Sequence, residues 1–389
     1  MISAEAALET LFALAPLLPV EEVPIEEAGG RVLGRDMAAL RTQPPFAASA
    51  MDGYAVHRAD ALPGAVLRVV GESAAGAGYG KPIAPGETVR IFTGAPVPEG
   101  AQRVVIQENT TRSGKHVTLT ALGDSANIRP AGGDFREGDT LHAPCRLGPA
   151  EVALLAAMNH ARLPVHRRPE VAVIATGNEL VPPGGIPGPD QIIASNGYGL
   201  KVLAERAGAR VRLLPIAHDT DPALRAAFTQ AEGADMIVTI GGASVGEHDI
   251  VGQVAGALGL ELAFHKVAMR PGKPVMAGRL AGALLLGLPG NPVSALVCAH
   301  LFMEPALWAM QGLPGPIPRQ SVPLAAPLPA NGSRTHYMRA RSTPQGVIPF
   351  DSQDSSLLTV LSRADVLIER PPDDPPRRIG TAVTCLPLR

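Results

Sequence analysis

The spacing of apolar positions changes several times along the chain. After Ser3, a suitable helix cap, Ala7, Leu8, Leu11 and Phe12 recur at helical spacing with Glu5 in the first turn, which predicts an N-terminal helix. Further on, short β-type runs at 67–70, 88–92, 103–106 and 116–119 alternate with Gly, Pro and Asn turns, the pattern of a small β-domain. Helical spacing returns over 147–163, with Pro149 suited to a first-turn position. Two helical parts flanking a β-cassette predict one domain interrupted by another.

From Pro169 onward strands and helices alternate. The strands expected are 171–175, 211–217, 235–240 and 283–287; the helices are 198–207, 222–231, 250–258 and one following Pro292. Largely apolar strands at βαβ spacing predict a doubly wound, mostly parallel sheet. Ligands of such sheets sit beyond the carboxyl ends of the strands. The Pro-rich stretch 312–329 reads as a linker, and short runs at 347–349, 365–368 and 382–385 predict a final β-domain. The expected fold is thus α/β multidomain. A discontinuous, partly helical N-terminal domain (1–48 and 136–168) carries an inserted β-rich domain (49–135). An α/β domain (169–315) and a C-terminal β-domain (316–389) follow.

Composition narrows the function. Of 389 residues, 46% are hydrophobic and 18% charged, enough apolar material for several cores. A net charge of -2 supplies no global field for nucleic acid, so an anion site must be built locally. With 3% aromatic residues and Trp308 the single tryptophan, a base-stacking platform is not expected. Cys145, Cys298 and Cys385 lie far apart, which reads as buried thiols rather than disulfides or a zinc site. The acidic N-terminal stretch is unlike a signal peptide. The charge-free run 280–303 is broken by Pro289-Gly290-Asn291-Pro292, so no membrane span is expected and the location expected is cytoplasmic.

Candidate chemistry collects at the strand ends. Thr176-Gly177-Asn178-Glu179 follows the first α/β strand, and Asp219 lies in the turn after the second. The third strand opens into Gly241-Gly242-Ala243-Ser244, with Asp249 beyond, and the last into Pro289-Gly290-Asn291-Pro292 ahead of a helix. Glycine lets backbone N–H groups approach an oxyanion, and a helix start adds positive potential, so the two glycine loops point to a phosphorylated ligand. Lys266, Arg270 and Lys273 place three cations within eight residues, in a chain with five lysines. Such crowding is commonly relieved by an anion or by acidic partners. In the cassette, Asp52 sits in a small-residue segment and Thr93 at a strand end. Asp52, Asp134, Glu179, Asp219 and Asp249 all fall in loops, as hard oxygen ligands for Mg²⁺ do where a phosphoryl group is handled.

The segments PPFAASAMDGYA, IFTGAPVPEGA, TGNEL, GGASVGEHD, FHKVAMRPGKP and GLPGNPVSA, in this order from Pro44 onward, resemble the molybdopterin molybdenumtransferases, the MoeA and gephyrin E-domain family. The resemblance implies an elongated four-domain homodimer. It also implies Mg²⁺-dependent hydrolysis of adenylylated molybdopterin with molybdate insertion, giving molybdenum cofactor and AMP. The residues it picks out are Asp52, Thr93, Asp134, Glu179, Asp219, Asp249, Lys266, Arg270, Lys273, Pro289 and Pro292, with Arg339 and Ser355 in the last domain. Catalysis is expected of Asp52, Glu179, Asp249, Lys266 and Arg270. Substrate binding is expected of the others together with Gly241, Gly242, Ser244, Gly290 and Asn291, and metal binding of Glu179 and Asp249. Arg270 stands where the family often has lysine, replacing a point charge by a planar fork. Expected partners are a second copy, molybdopterin adenylyltransferase, and molybdoenzyme apoproteins or their chaperones. Two other functions fit parts of the chain: a molybdopterin adenylyltransferase-like enzyme, and a non-catalytic scaffold of the gephyrin E-domain type.

Overall fold

Four parallel strands form the spine of the α/β sheet: Arg210–Leu213, Glu170–Ala175, Met236–Ile240 and Ala283–Leu288, adjacent in that order. Met276–Leu280 and Glu261–Phe264 extend it antiparallel, two strands absent from the sequence expectation. The computed structural model describes residues 1–242 and 250–388. The three inner parallel strands read as near-continuous apolar runs because helices cover both faces of the sheet. Asn196–Arg206 and the run from Pro292 pack on one face; Asp221–Gln230 and Ile250–Ala257 pack on the other. Thr220 caps Asp221–Gln230 through its side chain, and Pro222 occupies that helix's first turn.

The helix Ala4–Leu14 starts as expected, with the Ser3 hydroxyl accepting from the Ala6 N–H at 3.1 Å. Its partner differs from expectation. Ala7, Leu8 and Leu11 pack into the α/β core with Phe302 and Leu307, not with the segments that flank the cassette. Those segments join chiefly as a sheet, with Arg162–His166 pairing with both Val20–Pro24 and Val32–Leu33, and the latter with Cys145–Arg146. The only helix longer than one turn there is Pro149–Ala157. It stops short of the expected 163 because Asn159 takes φ 75°, and the His160 and Asn159 N–H groups close back on Leu155 and Ala156.

The inserted region holds a six-stranded sheet ordered Ala101–Ile106, Gly53–His57, Glu87–Ile91, Val66–Ser73, His116–Leu119 and Thr110–Ser113. At the C-terminus, Thr335–Thr343, Val366–Arg370 and Ala382–Pro387 pair antiparallel. The stretch read as a linker contributes Gln320–Pro323 as an edge strand of this sheet, where proline is tolerated. Met269–Arg270 joins the opposite edge, parallel to Thr335–His336. The last strand is also tied back to the α/β helices. His300 bridges the Glu304 carboxylate (2.7 Å) and the Pro387 carbonyl (2.9 Å), while Arg206 donates to the Leu388 carbonyl at 3.0 Å.

Among the described residues, one helical run, Pro292–Ala309, has the length and apolarity to cross a membrane, but 78% of it is buried in the protein. It is a core helix. Leu11→Ala is expected to lower the unfolding free energy by about 2–5 kcal/mol, the usual cost of emptying a well-packed leucine site. Urea unfolding followed at Trp308, which packs against the same core, checks this; a change under about 0.5 kcal/mol would detach the helix from the α/β core.

Candidate active site

The loops that leave the parallel strands enclose a cavity of about 450 Å³ at the carboxyl edge of the sheet. Of the residues expected to act, Glu179, Asp219, Gly241, Gly242, Pro289, Gly290, Asn291 and Pro292 line it. Glycine is required at specific points of this lining. Gly241 has φ 87°, and a Cβ there would lie 2.9 Å from the Thr176 carbonyl oxygen; at Gly242 (φ 63°) it would run into Val251. At Gly177 (φ 150°) a Cβ would fall on the Glu179 carboxylate, which folds back across this glycine.

Two acids share the cavity. Burial and then the charge of Glu179 raise the Asp219 pKa above the ordinary carboxylate value. Asn178 steadies the turn, its Oδ1 accepting from the Asp219 N–H at 3.2 Å and lying 3.2 Å from His218 Nδ1. A site that opposes the ionisation of its own carboxylate suits a cation, and Mg²⁺ commonly binds through one or two carboxylates plus substrate phosphates. Glu179 and Asp219 fit that requirement. Among the described residues no cluster of three or more His, Cys, Asp or Glu forms a complete metal cage. Asp249 and Ser244 lie outside the described residues.

The sequence reading did not include Asn196, whose Nδ2 donates to the Gly290 carbonyl at 2.7 Å and fixes one glycine turn to a helix start. The polar pair Ser195-Asn196 ahead of a helical run was the available signal. Ser355, from the C-terminal part, reaches the same turn. Its hydroxyl accepts from Asn291 Nδ2 at 3.1 Å, and its carbonyl accepts from the Val293 N–H at 3.0 Å.

The cations are placed differently. Lys266, Arg270 and Lys273 do not line the cavity, although Pro274 does. The Lys266 carbonyl accepts from the Ile2 N–H at 3.1 Å, and the Lys273 carbonyl accepts from Val267 at 3.2 Å, so backbone pairing shapes the stretch. Arg270 lies on the strand beside His336 and close to Arg339. Arg339 is fully buried; its Nη2 donates to the Asp354 carbonyl at 3.1 Å, but Nε and Nη1 have no partner. Burial, followed by the Arg270 charge, lowers the Arg339 pKa to about 10. The same two causes bring His336 down to about 4 and keep it neutral at pH 7. Buried guanidinium N–H groups without acceptors next to a second guanidinium form an anion-seeking arrangement.

Asp52, Thr93 and Asp134 lie outside the cavity lining. The Thr93 N–H and hydroxyl both donate to Asp52 Oδ1 at 2.7 Å, and these bonds, with a smaller contribution from Arg90, hold the Asp52 pKa below the ordinary carboxylate range. Gly53 is demanded by the neighbouring strand, since a Cβ there would collide with the Val105 carbonyl. Asp134 sits where the chain leaves the cassette, its N–H donating to the Gln43 carbonyl at 3.1 Å. Thr93→Val removes one donor to Asp52, so the Asp52 pKa is expected to rise toward the ordinary value. The native charge on Asp52 is then lost at a higher pH as the pH falls. A carboxyl-carbon NMR titration reads this directly, and an unmoved midpoint would reject the Thr93 anchor.

Family models agree with this arrangement over most of the chain. The MoeA N-terminal region (domains I and II) matches residues 2–159, a probable molybdopterin-binding domain matches 172–309, and the MoeA C-terminal region (domain IV) matches 321–388. Molybdopterin molybdenumtransferase 2 of Mycobacterium tuberculosis is 38% identical over 90% of this chain and 91% of its own. Molybdopterin molybdenumtransferase of Synechococcus elongatus is 35% identical over 92% of each. Among solved structures, a molybdopterin biosynthesis MoeA protein of Pyrococcus horikoshii is 29% identical with a TM-score of 0.81, covering 100% of this chain and 99% of that one. These matches cover most of the sequence and all three regions of the fold: the chain belongs to the molybdopterin molybdenumtransferase family and is an enzyme of molybdenum cofactor biosynthesis.

Proposed function

We propose that the chain inserts molybdenum into adenylylated molybdopterin, hydrolysing the adenylate with Mg²⁺ and releasing AMP. The observation that carries this reading is the cavity itself, where glycine turns and the Asn291–Ser355 contact surround Glu179 and Asp219. Backbone N–H groups at these turns suit phosphate oxygens. Glu179 and Asp219, with Asp249 from beyond the described residues, are the carboxylates available to hold Mg²⁺. An ion held by these carboxylates would supply positive charge to neutralise phosphoryl oxygens during cleavage. In the hydrolysis, water oxygen joins the adenylate phosphorus and the bridging oxygen leaves with the molybdopterin phosphate. AMP departs, and the water proton passes to a neighbouring base or to solvent.

Molybdate is a compact dianion and is assigned to the cationic side, where Arg270 and Arg339 lie close together with Lys266, Lys273 and Ser355 nearby in the chain path. Asp52 and Thr93, outside the cavity of their own chain, are assigned to the matching cavity of a second copy in a two-fold homodimer. This reading places the enzyme in the cytoplasm, receiving its substrate from an adenylyltransferase and passing cofactor to molybdoenzyme apoproteins or their chaperones.

Two measurements test the reading. Glu179→Gln removes a charge with little change of volume and is expected to lower AMP release by at least about tenfold at limiting Mg²⁺. A wild-type rate would remove Glu179 from the reaction, and ATP-dependent adenylylation by the unaltered chain would favour the adenylyltransferase alternative. Mixing Asp52→Ala and Lys266→Ala chains tests the shared site. After exchange, about half the dimers are heterodimers with one intact site of two, so activity is expected to recover to roughly a quarter of wild type. Exchange confirmed by mass without recovery would reject the composite site.

A further inference from the structure

One cation of the cassette is committed on every side, and all its contacts converge on Asp52. Arg90 lies on the strand Glu87–Ile91, and Phe92 follows it at the spacing that puts both side chains on one face. Tyr54 is directly opposite Arg90 in the antiparallel pairing with Gly53–His57, so its ring falls on the same face. The Arg90 guanidinium stands over both rings, 5.2 Å from the Tyr54 centroid and 4.8 Å from that of Phe92. Tyr54 is itself buried, which fixes the surface on which the guanidinium rests.

The two terminal nitrogens of Arg90 are spent on acceptors that adjoin Asp52. Nη1 donates to the Gly53 carbonyl at 3.1 Å, and Gly53 is the next residue in the chain. Nη2 donates to Gln107 Oε1 at 2.6 Å, and the Gln107 N–H in turn donates to the Asp52 carbonyl at 3.1 Å. The backbone that carries Asp52 is therefore gripped from two sides by one side chain. After the two Thr93 bonds, the Arg90 charge also contributes to holding the Asp52 pKa down. Two other acids border this arrangement. Glu72 is opposite Arg90 in register with Val66–Ser73, and Glu108 accepts from Gln107 Nε2 at 3.4 Å.

We infer that Arg90 is a positioning residue of the reaction: by bridging Gly53 and Gln107 it fixes where the Asp52 carboxylate stands. The inference rests on the catalytic reading of Asp52 given above. The task needs a planar fork, because the group must lie flat against two rings while donating to two separate acceptors. A lysine at this position supplies the charge but neither the fork nor the flat face.

Arg90→Gln and Arg90→Lys, each alone and combined with Asp52→Asn in the full chain, test the assignment. Both single variants are expected to lower kcat for AMP release by about tenfold or more with KM within about twofold, the signature of a displaced catalytic group rather than a lost binding contact. In the Asp52→Asn background the same changes should lower kcat no further, because Arg90 acts through that carboxylate. Carboxyl-carbon NMR of Asp52 gives a readout independent of turnover: its titration midpoint is expected to move to higher pH in Arg90→Gln and to move less in Arg90→Lys. Arg90→Lys keeps the charge and most of the stem, so it carries the test should Arg90→Gln not fold. A wild-type kcat in Arg90→Lys, further losses of the full size in the Asp52→Asn background, or an unmoved midpoint in folded Arg90→Gln would each overturn the inference. Wild-type AMP release by Asp52→Asn alone would instead overturn the catalytic reading of Asp52, and the midpoint would still decide whether Arg90 governs that carboxylate.

Discussion

The segment from Lys266 to Lys273 is held by three distant parts of the chain at once, and the relation between cavity and cations depends on it. Ile2 pairs with it on one side, donating to the Lys266 carbonyl and accepting from Ala268. On the other side Thr335 donates to the Ala268 carbonyl, and Met269–Arg270 runs parallel to Thr335–His336. Beneath it Gly272, at φ 98°, packs so closely over Cys298 that no side chain fits. A segment with several positive charges is thus pinned by backbone pairing on both sides, with Met269–Arg270 as its short strand, rather than left as a solvated turn. The N-terminal helix, the α/β core and the C-terminal sheet meet along it.

That seam concentrates unfavourable electrostatics. Burying Arg339 without acceptors for Nε and Nη1 costs free energy, and the neighbouring Arg270 adds like-charge repulsion. At the cavity, burial and the nearness of Glu179 oppose ionisation of Asp219. The two strains have opposite sign, so no single ion relieves both. A cation answers the carboxylates and an anion answers the arginines. The proposed reaction, which would bring a divalent metal, phosphate and a metal oxyanion together, needs both kinds of preorganised charge, and the fold bears the cost of each in the free chain.

These features divide what hydropathy makes legible from what it hides. The inner strands Glu170–Ala175, Met236–Ile240 and Ala283–Leu288 were readable because burial on both faces selects apolar residues throughout. The turns after them were readable through glycine. Thr335–Thr343 was not readable, because five consecutive buried positions in it include His336 and Arg339, polar types that a pattern reading places in solvent. The helix Ala4–Leu14 was legible as an element but not in its packing partner, since an apolar stripe does not say which core it joins. Arg90, which no sequence pattern singled out, stacks over Tyr54 and Phe92, at 5.2 and 4.8 Å from the ring centroids, and lies near Asp52.

The cassette poses a different physical problem. Asp52 and Thr93 form a pair oriented by local bonds alone, and the Gln107 N–H holds the Asp52 carbonyl at 3.1 Å. Nothing in this anchoring uses the α/β cavity, and neither residue lines it. A carboxylate fixed within its own small sheet keeps its direction whatever the rest of the chain does, which is the property needed of a group presented to another surface. In a closed two-fold pair, each such group can meet the cavity of the opposite chain without any change inside its own cassette. Under the proposed two-fold assembly, the local anchoring of the Asp52–Thr93 pair and its separation from the cavity of its own chain have one explanation: the group would be prepared within the cassette and its site completed by the second copy.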